Sequence, residues 1–387
     1  MQRGTLLLLV FLSLFLSLSC AGKDAFIEKQ RLPGVEEPLR FEPSVRVLIK
    51  RGLLQLTISE GDYFVSTKGG EIVSRGERDI TIRSEEGYLS DGARRFNGEL
   101  LLVSRAPVMI DGVLYSGRVV FHPTQRGIDL IDQIGMERYV ASVLKSEVPS
   151  SFDLEAKKAV AVAVRTYTLY RMENGKGEYY HLDNSNISQV YGGIEDVGDE
   201  YVRAAKDTRG EVVMYRLSPA LAVYHASCGG RTENAYDTWQ TDISYLRAVT
   251  CGYCDYAPGF RWVLEISQRE FVNVLRKEGI RGNRLISLRP GSKTNTGRTK
   301  TLRVEMDTGT WDVSASKLRA DVGYAAMKSI SFSIAMTGDR VSMSGRGYGH
   351  GVGLCQYGAN GMAGRGFSFR EILRHYYGGK IDITRYY

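Results

Sequence analysis

Three groups of residues in this chain have types and spacings that could do chemistry. The first is a single carboxylate, Glu147, in Lys145-Ser146-Glu147-Val148-Pro149-Ser150-Ser151-Phe152. Pro149 stiffens the turn after it and biases Val148 away from helix, while Val148 and Phe152 surround the carboxyl with apolar surface. A carboxyl kept protonated near neutral pH by desolvation is what a general acid needs to protonate a leaving oxygen. The second group is His225-x-x-Cys228 and Cys251-x-x-Cys254, two ligand pairs separated by 22 residues, close to the spacing of tetrahedral zinc sites built from two knuckles. Four protein ligands leave no open position, so such a zinc is structural; a disulfide joining Cys228 to Cys251 or Cys254, or closing the C-x-x-C pair, is the alternative for an exported chain. If His225 is not a ligand, it reads as a cleft residue. The third group is the glycine-rich run Gly345 to Ala359, which contains His350 and Gln356. So many glycines permit positive φ and close approach of backbone to a ligand, and so place His350 and Gln356 on a wall that a ligand touches. No strand–GK[ST]–helix context surrounds the run, which argues against a phosphate loop. Cys355 within it reads as a small buried apolar residue.

The elements that must position these groups follow from periodicity. Met136, Tyr139, Val140, Val143 and Leu144 predict a short helix over Met136–Leu144 with one buried stripe. Ser150-Ser151-Phe152-Asp153 fits a helix start signal, and the alanine-rich pattern from Ala156 predicts a second helix to about Met172. Glu147 is thereby placed in a short turn between two packed helices. Val45–Leu130 holds short alternating runs separated by turn signals such as Gly69-Gly70 and Asn97-Gly98, the pattern of a β-rich region. The loop from Asn184 to Gly193 offers Ser188, Gln189 and Tyr191, whose amide and aromatic groups suit a saccharide ring and equally suit a capped surface turn. Beyond it, strands are expected at 212–215, 221–225, 262–266, 302–306 and 330–334, with helices near 200–208, 267–277, 317–320 and 369–377. The fold class is α+β: a β-rich, mostly antiparallel body with the helix pair around Glu147 forming one side of a cleft and the His350 loop another.

The chain starts as an export signal. Arg3 precedes a run from Leu6 to Leu18 that is apolar apart from serines, too short for a confident span and right for a secretory h-region. Cleavage after Ala21 and lipidation at Cys20 are both compatible with Ser17-Leu18-Ser19-Cys20-Ala21. Residues 1–21 are therefore read as a signal peptide, 22–44 as a charged linker, and 45–387 as the folded domain, with a β subdomain inserted at about 45–108. The localisation expected is the cell envelope, with membrane attachment only through a lipid on Cys20. The net charge of +7 suits a protein working beside anionic envelope polymers, and an exported chain with no nucleic-acid motif is not expected to bind nucleic acid.

The run Glu137 to Pro149, followed by Glu155 to Tyr167, resembles the core of the stage II sporulation protein D family (SpoIID/LytB), and the resemblance can be followed from about Val45 to the C-terminus. The Ser188-Gln189-Val190-Tyr191 loop, His225-Ala226-Ser227-Cys228-Gly229-Gly230 and Gly349-His350-Gly351-Val352-Gly353 with Gln356 also resemble motifs of that family. The resemblance implies a lytic transglycosylase that cuts peptidoglycan glycan strands, with Glu147 as its catalytic acid. One Glu protonates the glycosidic oxygen after N-acetylmuramic acid, then acts as base on that sugar's C6 hydroxyl, giving a 1,6-anhydro end. The family's expected preference is for peptide-stripped strands. Some of its members carry zinc on His and Cys ligands near the cleft. Arg165 is placed 18 residues after Glu147, where a fixed cation could bind the substrate's lactyl carboxylate or pair with Glu137 or Glu155. The LytB name suggests a second reading, a non-catalytic glycan-binding enhancer of a cell-wall amidase. A zinc hydrolase is disfavoured, because no open-site ligand set such as H-E-x-x-H is present.

Overall fold

The computed structural model describes residues 41–387 apart from 116, 176–178, 185–188, 190 and 192–196. The fold is α+β, with sheets that are mostly antiparallel. Alternating apolar residues in the N-terminal third build two sheets that share one core. The seven-stranded sheet runs in the order Leu182–Asp183, Ser44–Leu53, Gly127–Gly135, Arg118–Thr124, Leu100–Ser104, Tyr63–Thr67, Ile72–Ser74. The six-stranded sheet contains Gln55–Ile58, Ile80–Glu85 and Val108–Ile110. Leu56, Ile82 and Ile110 from the second pack with Val65, Leu102 and Phe121 from the first, the inward half of each strand's period-two alternation.

Strand Gly127–Gly135 runs straight into helix α1, Met136–Glu147, which is followed by α2, Leu154–Asn174. Helix α1 is three residues longer than its apolar stripe predicts, so Glu147 is its last residue and not part of a loop. Pro149 sets the stop: Val148 is extended at φ −125° and ψ 125°, as a residue before proline prefers. The start of α2 is fixed by Asp153, whose side chain accepts from the Glu155 N–H, and not by the serines before it.

Helix α2 is buried on all sides, from Ala156 to Leu169, as its small residues permit. Helix α3, Asp199–Asp207, packs on both α1 and α2. The short α4, Ala235–Trp239, leads towards a separate module with its own core: the sheets Arg261–Ser267/Arg340–Arg346/Phe332–Thr337 and Leu285–Pro290/Thr301–Met306/Gly309–Ser314, with α5, Gln268–Lys277, and α6, Ala315–Val322. Helices α7, Gln356–Ala363, and α8, Phe369–Tyr377, return to α2. Ser267 with Glu270 and Ser368 with Glu371 form capping boxes that start α5 and α8. The strand expected at 221–225 is reduced to Tyr224–His225, which pairs in parallel with Leu354–Cys355.

Arg165 corrects a sequence expectation. Its side chain is fully buried, with Nε 2.9 Å and Nη2 2.6 Å from the two carboxylate oxygens of Glu137, and it donates to the carbonyl oxygens of Glu211 and Ala205. It is the structural ion pair and cannot reach a substrate. Burial alone would raise the Glu137 carboxyl, but the hydrogen bonds and charge of Arg165, with the Tyr387 hydroxyl, hold it below its ordinary value. A carboxyl depressed in this way stabilises the fold above its unfolded pKa, and that contribution is lost as pH falls through the folded value. Replacing Arg165 by Met leaves Glu137 without its partner and should cost about 3–5 kcal/mol. The loss should be seen in denaturant unfolding at neutral pH and should shrink on acidification; an unchanged midpoint would refute it.

Candidate active site

Glu147 ends α1 at the edge of a cavity of about 810 Å³, within the size range of ligand pockets. Its turn is held from three directions. The Tyr201 hydroxyl of α3 donates to the Val148 carbonyl at 2.8 Å. Asn360 of α7 accepts from the Asp153 N–H at 2.7 Å, and the Lys157 ammonium donates to the Ser150 carbonyl at 2.6 Å. Phe152 packs edge-on against Tyr357 of α7 with ring centroids 5.0 Å apart. Among the described residues that line the cavity, Glu147 is the one carboxylate. Its charge is felt by the buried phenols of Tyr224 and Tyr139, which burial first and Glu147 next or later push above their ordinary values.

The opposite wall is built by the parallel pair Tyr224–His225/Leu354–Cys355, which sets the two glycine-containing motifs side by side. Close approach requires glycine in this run, as two positions against the pair show. A Cβ on Gly349, at φ 114°, would come within 2.7 Å of the His225 Cβ, and one on Gly353, at φ 72°, within 2.2 Å of the Val223 carbonyl oxygen.

His350 and Gln356 both line the cavity, as the sequence predicts, but in different states. The His350 Nδ1 accepts from the Val352 N–H at 3.1 Å, so the proton is on Nε2, which donates to the Tyr224 carbonyl at 2.9 Å. Burial pushes this imidazole down to about 4, with the charges of Arg319 and Arg298 acting in the same direction. Both of its nitrogens are used to hold the loop, and its ring faces Trp239 at 5.4 Å between centroids. Gln356 is buried, and its side-chain Nε2 has no hydrogen-bond partner among the described residues.

His225 lines the cavity and is not among the residues whose ligand atoms cluster. Its Nδ1 donates to the Val352 carbonyl at 3.1 Å, and its Nε2, also without a partner among the described residues, is left as an acceptor; burial holds its pKa well below the ordinary value. The four sulfurs that come together are Cys228, Cys251, Cys254 and Cys355, all buried, with ligand atoms within 4.8 Å of one another. Cys355, expected to be an inert apolar residue, takes the place given to His225, because the parallel pairing carries it behind the cavity wall. The Cys355 sulfur accepts from the N–H groups of Cys228 and Gly358, both at 3.3 Å, and the Cys251 sulfur lies 3.2 Å from the Tyr376 hydroxyl. Backbone N–H groups aimed at sulfur suit thiolates held around a soft cation.

Two further expectations are corrected. Gln189 is buried: its Oε1 accepts from the Tyr139 and Thr168 hydroxyls and its Nε2 donates to the Val164 carbonyl. Tyr191 is buried, stacked on Tyr139 and hydrogen-bonded to Asp132, whose carboxyl burial pushes up to about 6. Both brace the helices and neither faces the cavity. Ser188 and Cys20 lie outside the described residues. The sequence reading gave no ligand role to Tyr167 and Arg171, which share a face of α2 at i, i+4 spacing, or to Trp239, Arg319, Tyr324 and Tyr348.

Residues 124–215 match the family described as Stage II sporulation protein (SpoIID). Over 64% of this chain the sequence is 29% identical to stage II sporulation protein D of Bacillus subtilis, covering 74% of that protein. The chain thus carries a SpoIID-matching segment and is similar over about two thirds of its length to stage II sporulation protein D. An uncharacterized protein of Brachyspira hyodysenteriae is 27% identical over 86% of this chain and 92% of its own length. The amidase enhancer of Bacillus subtilis is 28% identical over 63% of this chain, which spans 40% of that protein. Residues 238–353 match a second family, described as a domain of unknown function (DUF8618). The SpoIID match supplies Glu147, Tyr167 and Arg171 to the cavity, and the second match supplies Trp239, Arg319, Tyr324 and His350. The SpoIID match and the likeness to an amidase enhancer fit a cell-wall related function.

The neutral state of His350 is open to measurement. In ¹H–¹⁵N spectra its imidazole should remain the Nε2–H tautomer from about pH 5 to 8, the window in which an ordinary histidine titrates. Its folded pKa lies below the unfolded one, so the stability this neutral ring contributes is complete above 6.5 and is lost as pH falls towards about 4. Titration of His350 near its ordinary value would contradict the hydrogen bonds described.

Proposed function

We propose that the protein is a lytic transglycosylase of the cell envelope that cleaves peptidoglycan glycan strands after N-acetylmuramic acid. The observation that carries this reading is that Glu147 is the single carboxylate on the lining of the cavity among the described residues. Ordinary glycosidases use two carboxylates, one as acid and one as nucleophile or base. With one, the same group must serve twice. Protonated Glu147 gives its proton to the glycosidic oxygen as the bond from C1 breaks, and the carboxylate so formed faces the oxocarbenium-like sugar. It then takes the proton from that sugar's C6 hydroxyl as O6 closes on C1, which regenerates the acid and leaves a 1,6-anhydro end without consuming water. The Nε2 groups of Gln356 and His225, a donor and an acceptor without partners among the described residues, are suited to hold sugar amide and hydroxyl groups.

The test is mass analysis of the products from peptide-stripped glycan strands incubated with the purified protein or with Glu147→Gln. Fragments one water lighter than hydrolysis products are expected with the native protein, and loss of at least about 10²-fold in rate with the variant. Products of hydrolytic mass would refute transglycosylation. Strands left intact but bound by both proteins would favour the reading suggested by the amidase enhancer, in which the cavity holds glycan and a cell-wall amidase does the cutting.

We further propose that Cys228, Cys251, Cys254 and Cys355 hold a structural zinc ion. Zinc–thiolate bonds of about 2.3 Å place sulfurs about 3.8 Å apart, near the spacing of this cluster. The four-sulfur set leaves no position for water, so the ion would secure the wall carrying His225 and Gln356 and take no part in bond cleavage. Metal analysis should find one zinc per chain, lost in Cys355→Ser and retained in His225→Ala. Intact-mass loss of two hydrogens per cysteine pair, without metal, would establish disulfides instead.

A further inference from the structure

Two arginines line the cavity, and among the described residues neither has a carboxylate within ion-pair distance. Arg171 comes from α2 and Arg319 from α6. Arg319 is held in a way that leaves one edge of its guanidinium available. Its Nε donates to the Met327 carbonyl at 2.9 Å, and its plane lies over the Tyr324 ring at 4.6 Å from the centroid. The Nη groups make no hydrogen bond among the described residues, and neither is among the sealed, partnerless buried atoms. Its charge is felt at His350 and it interacts with Tyr348, so it belongs to the wall facing Glu147. Tyr324 beneath it is 41% exposed, and Trp239, on the same lining and against His350, is 39% exposed.

A guanidinium pinned at Nε and by its face presents two parallel Nη–H donors, the geometry that accepts a carboxylate in bidentate fashion. Flanking aromatic faces suit the apolar side of a sugar ring. We propose that Arg319 is a specificity-determining residue that reads the carboxylate of an acidic sugar, with Tyr324 and Trp239 as the surfaces on which the ring rests. This rests on the reading of the cavity as a glycan cleft. For N-acetylmuramic acid the carboxylate is the lactyl group, which carries a charge when free and none when joined to a peptide through an amide. The segment 238–353 would thus select strands from which the peptides have been removed, while Glu147 performs the cleavage.

The experiment compares two defined oligosaccharides of alternating N-acetylglucosamine and N-acetylmuramic acid, one with free lactyl carboxylates and one with the same groups converted to N-methylamides. Binding is measured calorimetrically to Glu147→Gln protein, which prevents turnover. The free acid should bind about 10- to 100-fold more tightly than the amide, the value of a charge-assisted hydrogen-bonded pair. Adding Arg319→Gln should abolish that ratio by weakening the acid alone, and Arg319→Lys should recover part of it. Equal affinity for the two ligands with Arg319 present overturns the proposal without the need for any Arg319 variant, as does an unchanged ratio in Arg319→Gln or loss of the ratio in Arg171→Gln alone. In each of those cases glycan binding still stands. Failure of both oligosaccharides to bind removes the glycan reading itself, and the carboxylate subsite with it.

Discussion

The interaction on which the rest of the structure depends is the buried pair of Arg165 and Glu137. A helix with apolar residues on every side can be placed in the middle of a fold, but nothing apolar fixes its rotation or its depth. Arg165 does so on α2. Its donors are met by Glu137 of α1, by the carbonyl of Ala205 at the end of α3, and by the carbonyl of Glu211 at the start of a strand. Glu137 in turn accepts from the Gly210 N–H and the Tyr387 hydroxyl, so the last residue of the chain closes the same network. Desolvating two charges is costly, and such a network is tolerable only when nearly every donor and acceptor is met. Once it is, α1 can sit against α2 in one register, and the far end of α1 delivers Glu147 to the cavity.

A second buried pair performs the same task on the opposite wall. Arg298 lies 3.6 Å from Glu233 and donates to the carbonyls of Cys228 and Arg231, tying the basic loop of residues 293–299 to the segment after His225. Thr294 donates to Glu233 at 2.7 Å. The polar loop that the sequence leaves without a role is therefore the clamp between the module of residues 261–346 and the cysteine-bearing wall.

Local signals are legible in the sequence because they report local physics. Periodicity gave α1, α2 and the alternating strands; Ser267 with Glu270 marked a capped helix; glycine density marked the backbone crowding at Gly349 and Gly353. What the sequence could not convey is direction. Arg165 and Arg171 are six residues apart on one helix, and only packing decides that the first points into the core and the second into the cavity. Gln189 and Tyr191 have side chains that suit a sugar and are consumed by Tyr139, Thr168 and Asp132. Cys355 joins the other three cysteines through a pairing of two-residue strands more than a hundred residues apart, for which no spacing rule exists. Arg319 and Tyr324 carry no motif at all.

The walls of the cavity also define how this protein can be divided. Its acid comes from the stretch matched to SpoIID, and its facing aromatic and cationic surface from a stretch matched to a different family, with His225 in neither. Neither stretch alone supplies the whole lining. Transfer of residues 124–215 to another chain would carry the carboxylate but no pocket, so recombination that preserves this site must keep the whole span from Met136 to Gln356. Changes confined to the second stretch therefore alter the aromatic and cationic surface of the cavity and leave Glu147 in place.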